Sequence, residues 1–446
     1  PVLLAALALF AAGSVACAVS RTLWWLAAAR VCQAIGGGAL LPVTFALVVD
    51  LLPELERPLW LGAVGATAEA GSVLGPLYGA AIVEHLGWRW IFWLNVPLAA
   101  GIGLSVHVIL RSRRRRRTLE RGLPADHPEI LRFAQDDMGS VDYLGAALFA
   151  FALAALTVGL SGSSDPTRSA SPIQLQRAIP LTALALLAGA LFVWRETRTR
   201  QPLVPLGPFR RRAFSAANGL NALVGVALIA AMVDVPLFAA TVLGRSPLEA
   251  GLALLRLTGL IPIGALAGGW LAARLRWDAI ALGGLLLAAT GFFLMSRWTL
   301  DVSDAAMTPG LMLAGLGFGL VIAPVTAAVL ASVGEAHRAL SAALLTVMRM
   351  AGMTVGLAAL TSVAFFRFKQ LVAGIPLPPA IPNPSAEEFA QRLAAYQAGI
   401  PNAALQVFTG IFLIAAVICL ANCLLALLLG RRGAAVLLTT ICCLLA

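Results

Sequence analysis

Charge is what this chain has least of. Asp, Glu, Lys and Arg make up 12% of its residues, about half the share usual in soluble domains. Lysine is almost absent: Lys369 stands alone and arginine supplies the other basic groups, a bias that fits a GC-rich bacterial genome. With 60% hydrophobic residues and a mean hydropathy of +0.89, this scarcity excludes a soluble domain. Segments of alternating polarity are missing, which excludes a β-barrel. His85, His107, His127 and His337 are scattered, and no grouping of Ser, His and Asp marks a nucleophilic enzyme. The six cysteines have no histidine or carboxylate at ligand spacing, so no metal, no cofactor and no enzyme are expected. Residues 1–19 are apolar but lack the basic start of a cleaved leader.

What the chain does have is long apolar runs, about twelve of them, each near the 20 residues that cross a hydrocarbon core as a helix. They cover 1–19, 23–50, 59–84, 88–110, 141–160, 178–194, 214–242, 247–272, 277–296, 307–333, 339–366 and 405–429. The fold class expected is therefore an all-α integral membrane protein, whose helices satisfy their own backbone groups. Many of the 42 glycines lie inside the runs, where small residues let helices approach backbone to backbone.

The net charge of +11 is placed by topology. Arg57, Arg111 to Arg117, Arg195 to Arg212, Arg274 with Arg276, Arg338 and Arg431 with Arg432 all fall on one side of this span order. The positive-inside rule makes that side cytoplasmic, so both ends of this chain are expected inside a bacterial plasma membrane. The Arg113–Arg117 run is read as a loop facing lipid headgroups, not as a nucleic-acid contact. Residues 118–139 read as a polar linker. Residues 369–404 read as an outer loop, in which Ser385 and Glu388 form a capping box opening a short amphipathic helix through Tyr396. The tail from Ala434 to Ala446 is apolar but too short to span.

Charged and amide groups inside the runs are the candidate functional residues, because a charge in lipid needs a partner or a pathway. Arg30 and Gln33 lie in the second run, where proton transfer and an interhelix hydrogen bond both remain open for Arg30. Glu69 shares the helix face of Gly62, Gly65 and Pro76 in the third. It would take a proton, contact substrate or pair with Arg30. Asp234 lies two residues before Pro236. The short hairpin that follows makes Arg256 its expected counter-ion, with a structural bridge and a transport role both open. Asp50 closes the second run, toward solvent or Arg57.

Gly71, Gly75 and Gly79 repeat at four-residue spacing, so they line one helix face and are expected to admit a close neighbour, while Pro76 kinks the helix. Trp88, Arg89, Trp90 and Phe92 then form an aromatic belt with one cation ahead of Asn95 and Pro97.

Taken in order, these patches resemble the major facilitator superfamily, and within it the fourteen-span drug:proton antiporter branch of the EmrB/QacA type. The family's R-x-x-Q-G-x-G-x-A pattern is matched by Arg30, Gln33, Gly36, Gly38 and Ala39. Its G-x-x-x-G-P-x-x-G-G is matched by Gly71, Gly75, Pro76 and Gly79, and its W-R-W-I-F-x-x-N-x-P by Trp88 through Pro97. Ala34 and Ala80 replace family glycines. Weaker echoes are Asp142 to Gly145 (D-W-L-G in the family), Gly244 to Gly251, and Arg349 with Gly352 and Gly356 (R-x-x-G-x-x-x-G).

The resemblance implies a major facilitator fold with about twelve of fourteen spans present, the first two lacking. It divides the chain into an incomplete amino-terminal bundle (1–110), a basic cytoplasmic linker (111–140), a two-helix insert (141–194), a cytoplasmic loop (195–213), a carboxy-terminal six-helix bundle (214–429) and a tail (430–446). It implies a secondary transporter that works by alternating access, a monomer that exports amphipathic or drug-like molecules against protons. A metabolite or lipid carrier, and an inactive truncated transporter, are the alternatives. Arg30, Gln33, Glu69 and Asp234 then serve coupling or substrate, and Gly71, Gly75, Pro76 and Gly79 gate. Arg256, Arg349 and Asp142 are structural charges.

Overall fold

The computed structural model describes residues 2–51, 57–120, 142–160, 172–199, 204, 206–272, 274–333, 338–373 and 386–429. They form helices α1 (Val2–Ala18), α2 (Leu23–Leu51), α3 (Arg57–Leu86), α4 (Arg89–Glu120), α5 (Tyr143–Leu160), α6 (Pro172–Glu196) and α7 (Arg212–Thr241). There follow α8 (Pro247–Thr258), α9 (Leu260–Ala272), α10 (Trp277–Met295), α11 (Asp304–Ser332), α12 (Arg338–Ala373) and α13 (Ala386–Leu427). Among the described residues there is no strand. Within the described residues, eight stretches are long and apolar enough to cross a bilayer, and Val2–Ala18 and Leu144–Leu160 are shorter apolar helices. The all-helical membrane architecture is as the hydropathy requires.

Three boundaries differ from the sequence reading. The run 247–272 is two helices, because Pro262 has no N–H and its ring crowds the carbonyl of Thr258; α8 ends at Thr258, and the chain turns at Gly259 before α9. α4 continues through Arg111 to Arg117 as far as Glu120, since arginine is a good helix former and no breaker occurs before Gly122 and Pro124. The expected short helix after Ser385 is the start of α13, a single 42-residue helix that runs on through Pro401. α12 has 36 residues. At 1.5 Å per residue these helices are about 54 and 63 Å long, beyond the ~30 Å of a hydrocarbon core.

Contacts divide the chain into two units, Pro1–Gly139 with Ser246–Gly251, and Ser140–Arg245 with Leu252–Ala446. In the first, α1 packs on α2 and α4, and α3 touches both α2 and α4. The α1–α2 crossing is set by two glycines: a Cβ on Gly13 would stand 2.5 Å from the Gln33 nitrogen, and one on Gly36 2.5 Å from the Phe10 nitrogen. In the second unit, α11 packs on α7, α9, α10 and α12, while α13 packs on α7, α10 and α12. Phe214, Phe238, Leu257, Leu285, Phe292, Phe318 and Phe412 fill the space between these helices. α5 and α6 pair with each other, and α5 rests on α12.

Candidate functional site

The amino-terminal unit carries a directional chain of polar groups through an apolar setting. Arg30 lies seven residues into α2, about 10 Å along its axis. Its Nη1 donates to Gln33 Oε1 at 3.2 Å, an i,i+3 pair that shares one helix face. Gln33, buried, donates through Nε2 to Ser14 Oγ at 2.8 Å. Ser14, fully buried in α1, donates in turn to the carbonyl of Phe10 at 2.8 Å. The Arg30 guanidinium also lies 4.5 Å from the ring centroid of Phe92 in α4. Phe92 is buried and meets Trp88 edge-on at 6.1 Å. Arg89 covers the Trp88 ring at 4.5 Å and donates to the Ser20 carbonyl at 3.3 Å, tying the start of α4 to the end of α1.

Sequence reasoning singled out Arg30 and Gln33 but missed Ser14, and it read Phe92 only as part of a belt. The available signal for Ser14 was a hydroxyl beside Gly13 in an otherwise apolar helix. The Glu69 side chain lies outside the described residues, as do those of Asp50 and Arg57.

Gly71, Gly75 and Gly79 lie in α3, which runs unbroken through Pro76. Within the first unit the expected close neighbour on their face is not found among the described residues. Gly71 and Gly75 are exposed, and a Cβ on any of the three would meet no described atom within 4 Å. Spacing puts them on one face, and within their unit no described residue closes on that face. In the motif of α12 the close approach does occur: Gly352 sits against the Ala222 carbonyl, and Gly225 of α7 against that of Arg349. Arg349 is thus placed at the α7–α12 crossing.

The expected Asp234–Arg256 pair is not made. Arg256 Nη1 donates instead to Asp304 Oδ1 at 3.1 Å, to the Asp304 carbonyl at 3.1 Å and to Thr308 Oγ1 at 3.2 Å. Arg245 shares the same carboxylate. The reason is packing. A short hairpin makes two helices antiparallel without making them neighbours, and α7 packs on α11, α12 and α13 rather than on α8. Asp304, in the first turn of α11, is also favoured there by the helix dipole. Asp234 is half-buried and has no hydrogen-bond or ion-pair partner among the described residues.

Asp142 is a structural clamp. It precedes α5 and accepts from the Gly145 N–H at 2.9 Å. Arg195 of α6 grips the same carboxylate, with Nε 2.9 Å and Nη2 2.8 Å from Oδ1. The Arg195 guanidinium holds the Asp142 carboxyl below the usual carboxylate range, and the Gly145 N–H adds to the effect. A Cβ at position 145 would come within 2.7 Å of Asp142 Oδ2, which explains the glycine that closes this motif. Among the described residues no three His, Cys, Asp or Glu side chains gather as metal ligands.

The family model described as Major Facilitator Superfamily matches residues 1–357. The chain belongs to the Major Facilitator Superfamily. It is therefore a multi-pass membrane transporter and not an enzyme, and transport in this superfamily needs no cofactor. It is 38% identical over 438 residues to a triacylglyceride transporter of Mycolicibacterium smegmatis, covering 96% of this chain and 74% of that protein. It is 37% identical over 419 residues to a triacylglyceride transporter of Mycobacterium tuberculosis, covering 91% and 76%. Among solved structures, the chain superposes with a TM-score of 0.53 on a bacterial homologue of the human lysosomal transporter Spinster. That match has 17% identity and covers 94% of this chain and 81% of that one. It superposes with a TM-score of 0.53 on a peptide transporter solved with sulfate, at 17% identity, covering 94% and 79%. Both structures share the major facilitator fold.

Proposed function

We propose that this chain is a secondary carrier of neutral ester lipids of the triacylglyceride class, and not an exporter of drugs. The observation that carries the reading is the 38% identity, across 96% of the chain, to a relative named for that substrate. Physical chemistry supports it. A cationic drug needs counter-charges along its path, whereas a triacylglyceride carries no charge and asks only for apolar walls with a few donors. The low charge content and the lengths of α12 and α13 suit a substrate that must be shielded from water along its whole length.

In this reading the chain moves lipid by alternating access, as a monomer with both ends cytoplasmic, driven by protons. Asp234, which has no partner among the described residues, and Glu69 are the proton-binding carboxyls. Arg30, held by Gln33, meets the substrate, and Gly71, Gly75, Pro76 and Gly79 gate. Residues 1–110 and 214–429 are the two rocking bundles and 141–194 the inserted pair, joined by the linker 111–140 and the loop 195–213, with 430–446 as a tail. This arrangement keeps the fourteen-span plan of the antiporter branch.

The test is equilibrium binding of radiolabelled triacylglycerol to the purified chain in detergent, with unlabelled triacylglycerol or a cationic dye as competitor. Displacement by the lipid alone is expected. Displacement by the dye, with no saturable lipid binding, would return the drug-export reading.

A further inference from the structure

Among the described residues, the contacts of Arg30 aim it and supply no counter-charge. Ser14 spends its hydroxyl hydrogen on the Phe10 carbonyl, so its oxygen must accept. That requirement turns the Gln33 amide NH2 toward Ser14 and its carbonyl toward Arg30. The ring of Phe92 covers one face of the guanidinium. Four of the five N–H donors of Arg30 have no partner among the described residues, and Arg30 is exposed on its unit.

Its surroundings on α2 are apolar, with Val31 and Ile35 exposed beside it. A permanent cation whose described contacts are neutral, with most donors unpaired among the described residues, suits a ligand that brings acceptors on an apolar body. An ester lipid is such a ligand, because each of its carbonyl oxygens accepts and none donates.

We infer that Arg30, positioned by Ser14, Gln33 and Phe92, is the hydrogen-bond donor to the ester carbonyls of the carried lipid and sets the preference for esters. The inference rests on the lipid-carrier reading. Ser14 and Phe92 act through Arg30 and are positioning residues. Bulk phospholipid offers Arg30 the same acceptor chemistry, and the experiment separates the two sources by comparing substrates within one bilayer composition.

The full chain in proteoliposomes is assayed for transfer of radiolabelled triacylglycerol and of its trialkyl ether analogue with equal chain lengths. One charge-assisted hydrogen bond predicts an ester preference of about tenfold in the wild type. Arg30→Gln should lose most of it. Ser14→Ala and Phe92→Leu keep the cation but release its aim, and should reduce the preference severalfold; they carry the test where Arg30→Gln folds poorly. The ratio of the two rates is read because a simple loss of folded protein does not move it. Equal transfer of ester and ether by the wild type would overturn the inference while leaving lipid carriage standing, and would mean that bulk lipid occupies Arg30. A preference unchanged in Arg30→Gln, with only the dependence on the pH gradient lost, would overturn it in favour of a coupling role. No transfer of either lipid by the wild type would overturn the carrier reading itself.

Discussion

Gly36→Ala tests whether the α1–α2 crossing holds the polar chain together. A Cβ at Gly36 would lie 2.5 Å from the Phe10 nitrogen, 2.8 Å from the Ala6 carbonyl and 2.9 Å from the Phe10 Cα. All three are backbone atoms, so no rotamer change relieves the clash and α1 must move outward by about 1 Å to restore van der Waals contact. Overpacking of this kind costs about 1–3 kcal/mol, and alanine returns about 1 kcal/mol of helix propensity. The net expectation is a loss of up to about 2 kcal/mol and a Tm lower by a few degrees. The shift also stretches the 2.8 Å Gln33–Ser14 hydrogen bond beyond a useful length, leaving the buried Gln33 amide NH2 without its acceptor. Two residues along, a Cβ on Gly38 would meet nothing within 4 Å, so Gly38→Ala should leave Tm unchanged or raise it. The assay is thermal unfolding of the two purified variants in the same detergent. A Gly36→Ala protein as stable as Gly38→Ala would refute the crossing geometry.

Further expectations concern the carboxy-terminal unit. Asp234→Asn should fold with wild-type yield and Tm, because no partner among the described residues is lost, yet lose transport driven by a pH gradient; poor yield would show that Asp234 is structural. Asp304→Asn releases both Arg245 and Arg256 and should lower Tm, whereas the reciprocal exchange of Asp234 and Arg256 should rescue nothing. The Asp142 carboxyl, held below its ordinary value in the folded state, stabilises above its unfolded pKa of about 3.9 and loses that effect only as pH falls through the lower folded value. Tm of the wild type should therefore show no pH dependence from this clamp between about pH 5 and 8, and Asp142→Asn should be less stable throughout that range; equal stability of the two would remove the clamp from the account. Pro262→Ala should join α8 to α9 and raise Tm, read by thermal unfolding with helix content by circular dichroism. A lower Tm would show that the break is needed for packing.

How much of this was legible in the sequence depended on the range of the interaction. Helix existence followed from hydropathy, since each run had to satisfy its own backbone in lipid. The Arg30–Gln33 pair followed from i,i+3 spacing. Ser14 and Phe92 did not, because one lies 19 residues from Gln33 and the other on a separate helix, and nothing local encodes which faces of α1, α2 and α4 meet. Asp234 and Arg256 failed as a pair for the same reason. The short hairpin made their helices antiparallel, but the packing of α7 on α11, α12 and α13 set the faces. Pro262 was visible and was given too little weight against the apolar run around it. The glycines of α3 make the converse point: a face built for close approach was legible, while which residues of the first unit would meet it was not.

The measurement that bears most directly on the account is transport by the purified chain in proteoliposomes, with labelled triacylglycerol and a cationic dye followed in parallel under an imposed pH gradient. The account predicts gradient-dependent movement of the triacylglycerol, abolished by an uncoupler, and no movement of the dye above protein-free vesicles. Gradient-driven movement of the dye, with triacylglycerol left where it started, would contradict it.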